Sequence, residues 1–518
     1  MKLPSYNLFP WIYTLKKKHM FPDVVMKFEQ DGVKNKDSKQ TVTRSTKCYI
    51  PKRFVLTILG FFGMFCSYAM RVNLSVAIVA MVNTTYSPSS NGTIRTMECS
   101  ELVHYESEKY NKYKGEQYNW DPKTQGIILG AFFYGYFITQ LPGGMLAEKF
   151  GAKWVFGLGI FITAICSLLT PLAASMGVTS MIVARVLAGL SEGVTFPAIN
   201  VTISKWSPKT ERSRISTIIF IGLMIGNVIS LPVSGMLSGS ELFGGWPSAF
   251  YFFGAISCIW FLFWSFLVYE TPAQHPSISK EELLYIDLNK DEKTEKKDTP
   301  WKDIFTSLPV WAVAVGHFGH VFGFNVLLTE MSTYLNGILH FDIQANGFLS
   351  ALPYASQALF SWLASYIADR MRKSGKISVT NTRKICNSIG SIGPALCLLG
   401  VTVTGCRPYL TVALLCIGMA FNGFVHSGFN ITHVDMCPEL AGTLYGISNT
   451  IGSFSGAIGP TFTGYFLDKG ETIKNWSYVF YITSAVYLIT AIFYDIFASA
   501  ELQSWGIKKE KKHKEDKK

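Results

Sequence analysis

Charge is what this chain has little of. Only 16% of its 518 residues are Asp, Glu, Lys or Arg, against about 25% in an ordinary soluble domain. No segment alternates apolar and polar residues over about ten positions, which excludes a membrane β-barrel. No glycine-rich phosphate loop, no Ser/His/Asp arrangement and no zinc spacing occurs. An enzyme, a nucleotide-driven pump and a resident metal or cofactor are therefore not expected. The ten cysteines are scattered, with neither metal-site nor disulfide-framework spacing. Cys99 and Cys406 both fall in connections expected to face outward and can pair.

What the chain has instead is long apolar runs. A crossing helix needs about 20 apolar residues, and twelve such runs can be marked, from 54–82 to 475–499. The expectation is an all-α membrane protein, with twelve transmembrane helices in two pseudo-symmetric six-helix bundles. The divisions are a tail over 1–52, a first bundle over 53–270 with an outer loop at 83–123, a linker over 271–308, a second bundle over 309–500, and a basic tail over 501–518. The outer loop carries acceptor sequons at Asn83 and Asn91. The +12 net charge is concentrated in both tails and in alternate connections. That asymmetry predicts cytosolic termini and makes a nucleic-acid partner unnecessary. With a polar N-terminus, the first span is expected to double as the targeting signal.

The two halves repeat. Gly126 to Lys149 aligns with Gly347 to Arg370 without a gap, offset by 221 positions. Leu146-Ala147-Glu148-Lys149 then faces Ile367-Ala368-Asp369-Arg370. Each ends an apolar helix in an acid–base pair, which suits a latch made in one conformation and broken in another. Repeats of this kind mark transporters whose halves rock against each other.

Charge inside the apolar runs is the sharpest signal. Arg71 interrupts the first run, and Arg185 and Glu192 interrupt the fourth. A guanidinium in hydrocarbon costs roughly 3 kcal/mol, so these side chains should face a polar pathway or a partner. Arg185 and Glu192 share a helix face but stand about 10 Å apart along the axis. That is too far for a relaxed pair, so Arg185 is free for an anion and Glu192 for a proton or a neighbouring base. The seventh run carries His317, His320, Asn325 and Glu330. His433, Asp435 and Glu439 sit at an expected inner helix end and read as helix termination or gating.

Several segments are specific enough to carry a resemblance. Gly144-Met-Leu-Ala-Glu148-Lys149-Phe-Gly151-Ala-Lys153 resembles the GxxxDRxGRK loop of the major facilitator superfamily, with Glu and Lys keeping the two charges. Tyr68-Ala-Met-Arg71-Val-Asn73, Trp120-Asp-Pro-Lys-Thr-Gln-Gly126, Ala184-Arg185 through Glu192-Gly193 to Pro197, and Ser427-Gly-Phe-Asn-Ile-Thr-His433 to Pro438 resemble its anion/cation symporter family. That family includes sialin, the vesicular glutamate transporters and the sodium-dependent phosphate cotransporters. The likeness runs over roughly 50–505, strongest to sialin-like members and to the insect-type inorganic phosphate cotransporters. It implies the major facilitator fold and cation-coupled symport of an anion by alternating access. The anion would be inorganic phosphate or a small organic acid, and the coupling ion Na+ or H+, with no other cofactor.

In the family, the counterparts of Arg71 and Arg185 meet the anion and that of Glu192 couples protons. His320 is expected to assist the arginines, Glu330 to assist Glu192, and Glu148, Lys149, Asp369 and Arg370 to gate. The glutamate transporters have a histidine in the second span and an arginine in the seventh. Leu129 and His320 stand there, which argues against glutamate loading of vesicles. A proton-coupled lysosomal exporter of a sialic-acid-like solute is the alternative, and a non-transporting receptor is the rival of another class. The expected setting is a multi-pass monomer in the plasma membrane or a lysosomal or endosomal membrane.

Overall fold

The computed structural model describes residues 50–83, 98–102, 116–208, 210–289 and 299–506. Asn91, nearly all of the two tails and part of the linker lie outside the described residues. Twelve long helical rods occur among those described: α1 Lys52–Met81, α2 Pro122–Phe150, α3 Ala152–Ser175, α4 Val178–Trp206, α5 Arg212–Ser238, α6 Pro247–Leu267, α7 Leu308–Gly337, α8 Ile343–Lys373, α9 Val379–Val401, α10 Pro408–Met436, α11 Ala441–Leu467 and α12 Ile473–Phe497. Nine of them are long and apolar enough to cross a bilayer. The other three, α2, α8 and α11, are richer in small and polar residues, and each packs along a helix of the opposite half. Large apolar side chains point outward around the bundle, among them Phe266, Trp362 and Ile489, each more than 60% exposed. In lipid such a surface is satisfied.

The repeat begins at the helix starts. The Asp121 carboxylate accepts the Thr124 amide at 2.7 Å to open α2. The Asp342 carboxylate accepts the Ala345 amide at 2.8 Å to open α8. Both are N-caps, again 221 positions apart.

Glycines then let the halves meet backbone to backbone. Gly126 of α2 faces Gly464 of α11, and Gly347 of α8 faces Gly235 of α5. A Cβ at Gly347 would stand 2.7 Å from the Leu231 carbonyl oxygen, and one at Gly235 2.7 Å from that of Ile343. These two seams shut one end of the bundle.

Over the same end lie the described parts of the α1–α2 connection, 98–102 and 116–121. Its first residues are fixed by Asn83 N–H donating to Tyr118 O at 3.0 Å and Tyr118 N–H to Met81 O at 2.7 Å. Trp246 donates its indole N–H to Glu116 O at 2.8 Å. Across on the second half, Cys99 and Cys406 form a disulfide with Cα atoms 5.3 Å apart. His340 donates Nε2–H to Glu98 O at 2.7 Å beside it. The connection therefore straps the two halves together.

At the opposite end, acids cap helix starts. The Glu282 carboxylate takes the Lys52 and Arg53 amides at 2.9 and 3.1 Å and the Arg53 guanidinium at 3.1 Å. Arg53 Nε also reaches Glu211 at 2.8 Å. Glu270 takes the Ala152 and Lys153 amides, both at 2.9 Å, and pairs with Lys205. Each satisfies donors that a helix start leaves without partners, at the end where the dipole favours negative charge.

Candidate functional site

Helix α4 is continuous from Val178 to Gly193, breaks at Val194 and resumes at Thr195. Pro197 has no N–H for the Gly193 carbonyl, which accounts for a break there. The break falls two residues beyond Glu192, whose carbonyl accepts the Thr195 hydroxyl at 2.6 Å. Glu192 is fully buried.

Its partner is Arg71 of α1. Arg71 Nε donates to Glu192 Oε1 at 2.9 Å, and its Nη2 reaches the same oxygen. The Ser67 hydroxyl is the other polar group set against the Glu192 carboxylate, whose Oε2 is buried without a hydrogen bond of ordinary geometry. Aromatic faces complete the setting. The Arg71 Cζ lies 4.4 Å from the ring centres of both Tyr68 and Tyr136 and 4.9 Å from that of Phe132. Such faces attract a cation and exclude water from the pair.

Arg185 also stands over the Phe132 ring, with its Cζ 5.1 Å from the ring centre. It is 6% exposed, and its Nε makes no hydrogen bond. One ring is thus shared by both guanidiniums.

Between the halves lies a cavity of about 200 Å³. Arg71, Tyr68 and Tyr136 line it from the first half; His317, His320 and Gln357 line it from the second. Arg185, Glu192 and Glu330 do not border it. The first two stand behind the wall, Glu192 in direct contact with the lining Arg71. Glu330, 4% exposed, lies further along α7, where Thr329 donates its hydroxyl to the Glu330 carboxylate at 3.5 Å. The structure therefore gathers Arg71 and His320 on the cavity, and sets Arg185 and Glu330 apart from it.

The four expected gating residues, Glu148, Lys149, Asp369 and Arg370, are exposed at the end away from the glycine seams. Lys149 stands over the Phe150 ring at 5.3 Å, and Arg370 donates to the Tyr366 hydroxyl at 3.3 Å. Asn83 closes the strap at the foot of α1.

Residues 60–460 match the Major Facilitator Superfamily. The chain belongs to that superfamily. Among relatives of this facilitator, human sialin is 44% identical over 456 residues, 88% of this chain and 91% of sialin. A Drosophila melanogaster protein named "Putative inorganic phosphate cotransporter" is 39% identical over 464 residues, 89% and 87% of the two chains. Vesicular glutamate transporter 1 of Xenopus laevis is 38% identical over 501 residues, 95% and 83%. Its fold is shared with a bacterial homologue of the human lysosomal transporter Spinster in an inward-facing, unoccupied conformation. That structure has a TM-score of 0.67, 14% identity, and coverage of 88% of this facilitator and all of the other chain.

Several site residues escaped the sequence reading. Tyr68 and Tyr136 carry no charge to mark them inside apolar helices. Gln357 and Asn422 bond each other at 2.7 Å, and Asn422 also contacts His320 Nδ1 at 3.2 Å. Gln140 of α2 accepts the Ser453 hydroxyl of α11 at 3.0 Å, across the halves. Amides inside apolar runs were the available signal.

Proposed function

We propose that this protein is a secondary active symporter. It carries a small anion, inorganic phosphate or an organic acid, across a membrane by alternating access. The coupling cation is H+, with Na+ the other candidate. The observation that carries this reading is the buried Glu192 holding Arg71, the guanidinium that borders the cavity.

An anion in the cavity competes with Glu192 for Arg71. A proton on Oε2, the oxygen Arg71 does not hold, neutralises Glu192 and releases Arg71 to the anion. Proton and anion then load together, which is symport. Arg185, which shares the Phe132 ring, adds a second positive charge behind the wall and favours the same anion at longer range.

Likeness to sialin, to a phosphate cotransporter and to a vesicular glutamate transporter supports an anionic solute. A proton-coupled lysosomal exporter of a sialic-acid-like solute is the second reading, favoured by the 44% identity to sialin. The disulfide supports an orientation: such bonds persist outside the reducing cytosol, so the strapped end faces outward or into a lumen, and both termini face the cytosol. The protein works as a monomer.

The decisive experiment is uptake of radiolabelled phosphate, sialic acid and glutamate by the purified protein in proteoliposomes, under imposed Na+ or pH gradients. Accumulation driven by a pH gradient is expected. Binding without flux would mean a receptor instead.

A further inference from the structure

The second half holds four histidines that the anion site does not use fully: His317, His320, His426 and His433. Two of them meet at one hydroxyl. Ser448 Oγ of α11 lies 3.1 Å from His317 Nδ1 of α7 and 2.8 Å from His433 Nε2 of α10. The same hydroxyl donates to Tyr445 O at 3.1 Å. His433 Nδ1 lies 3.3 Å from Asn430 O, a carbonyl that can only accept.

The hydroxyl can turn between two acceptors. With both imidazoles neutral, His317 donates from Nδ1 to Ser448, Ser448 donates to His433 Nε2, and His433 donates from Nδ1 to Asn430 O. The Tyr445 carbonyl is then held by its helical amide alone. With a proton at His433 Nε2, His433 donates from both nitrogens, Ser448 accepts twice, and its hydroxyl turns to Tyr445 O. The cluster thus accepts a proton with no donor or acceptor left facing its like. Ser448 is 2% exposed, His433 3% and His317 4%. His317 borders the cavity, which puts His433 two hydrogen bonds from it.

We propose that His433 is a proton-binding site, opening on the anion cavity through Ser448 and His317. The inference rests on the cavity being an anion site. A proton seated there puts positive charge in the wall of the second half, facing Arg71 in the first, so proton and anion stabilise each other's binding. The groups around the seat are compatible with this. Tyr445 of α11 stands 5.5 Å from His433, ring centre to ring centre. Tyr494 of α12 is turned to Thr432 at 2.7 Å. Arg383 of α9 is paired with Asp435 at 2.7 Å. Phe429 stacks near both His317 and His320. The nearest full charges are thus already matched, and Glu192 belongs to the other half.

The test uses the full chain in proteoliposomes, with whichever of phosphate, sialic acid or glutamate the wild type carries. Apparent KM is measured between about pH 5.5 and 7.5, the range in which histidine changes charge. Wild-type affinity should rise on acidification, each proton bound with the anion adding up to about ten-fold per pH unit. His433→Gln and Ser448→Ala should each take one proton's share from that slope and leave the share that Glu192 gives. Normal flux with the wild-type slope in both variants would overturn the proton site and leave the transport reading intact. Absence of flux for all three anions in the wild type would count against the transport reading. The seat is then read directly, as protons taken up by the solubilised full chain over the same range. One proton fewer in His433→Gln supports it, and an equal count refutes it.

Discussion

Arg71 and Glu192, 121 residues apart, close as an ion pair in which Arg71 Nε sits 2.9 Å from Glu192 Oε1. One partner borders the cavity and the other is sealed behind it. The cavity can therefore sense the protonation of a group it does not touch.

Glu192→Gln imitates the protonated state permanently. Anion affinity should become high and less dependent on pH. Net accumulation driven by a pH gradient should be lost, while exchange of labelled for unlabelled anion persists. Comparing the two fluxes in proteoliposomes checks this; unchanged gradient-driven accumulation would remove Glu192 from the coupling.

The two arginines should separate kinetically. Removing Arg71 alone strands a buried carboxylate, at about 3–5 kcal/mol, so the informative variant is Arg71→Gln with Glu192→Gln. It should fold and bind the anion roughly 100-fold more weakly, since a charge-assisted contact is worth about 1.5–3 kcal/mol. Arg185→Ala should abolish uptake with the protein still in the membrane. Because Arg185 does not border the cavity, its loss should fall on turnover more than on anion affinity. Measured binding and flux for both variants decide the point.

Gly347→Ala sets a methyl against the Leu231 carbonyl. Overpacking of this kind costs about 1–3 kcal/mol, and only the closed seam bears it. The variant should populate conformations open at the strapped end. Spin-label distances between α5 and α8 at that end should lengthen; an unchanged distribution would mean that the seam yields without parting.

Cys406→Ser removes the bond joining the halves. Native disulfides typically contribute about 2–4 kcal/mol, so thermal stability should fall. A reductant should lower the melting temperature of the wild type and leave the variant unmoved. Equal sensitivity in both would place the effect elsewhere.

Much of this was legible because a charge in an apolar run is hard to hide. Arg71, Arg185 and Glu192 stood out, and the spacing of the last two excluded a pair on one helix. That Arg71 is the partner of Glu192 was not legible, since helix packing decides it. The repeat could be read from Gly126 and Gly347, but not the Asp121 and Asp342 caps at the same offset. Glu282 and Glu270 look like surface acids in the sequence. Their roles depend on amides more than 100 residues away, which only the fold brings near. His433 read as helix termination or gating, because its partners, Ser448 and His317, belong to other helices.

The glycine seams carry one more consequence. Where Gly126 meets Gly464 and Gly235 meets Gly347, no rotamer has to be reset for the surfaces to part. At those two crossings the move is one of whole-helix tilt, opposed elsewhere by the disulfide and by the Gln140–Ser453 hydrogen bond that also join the halves.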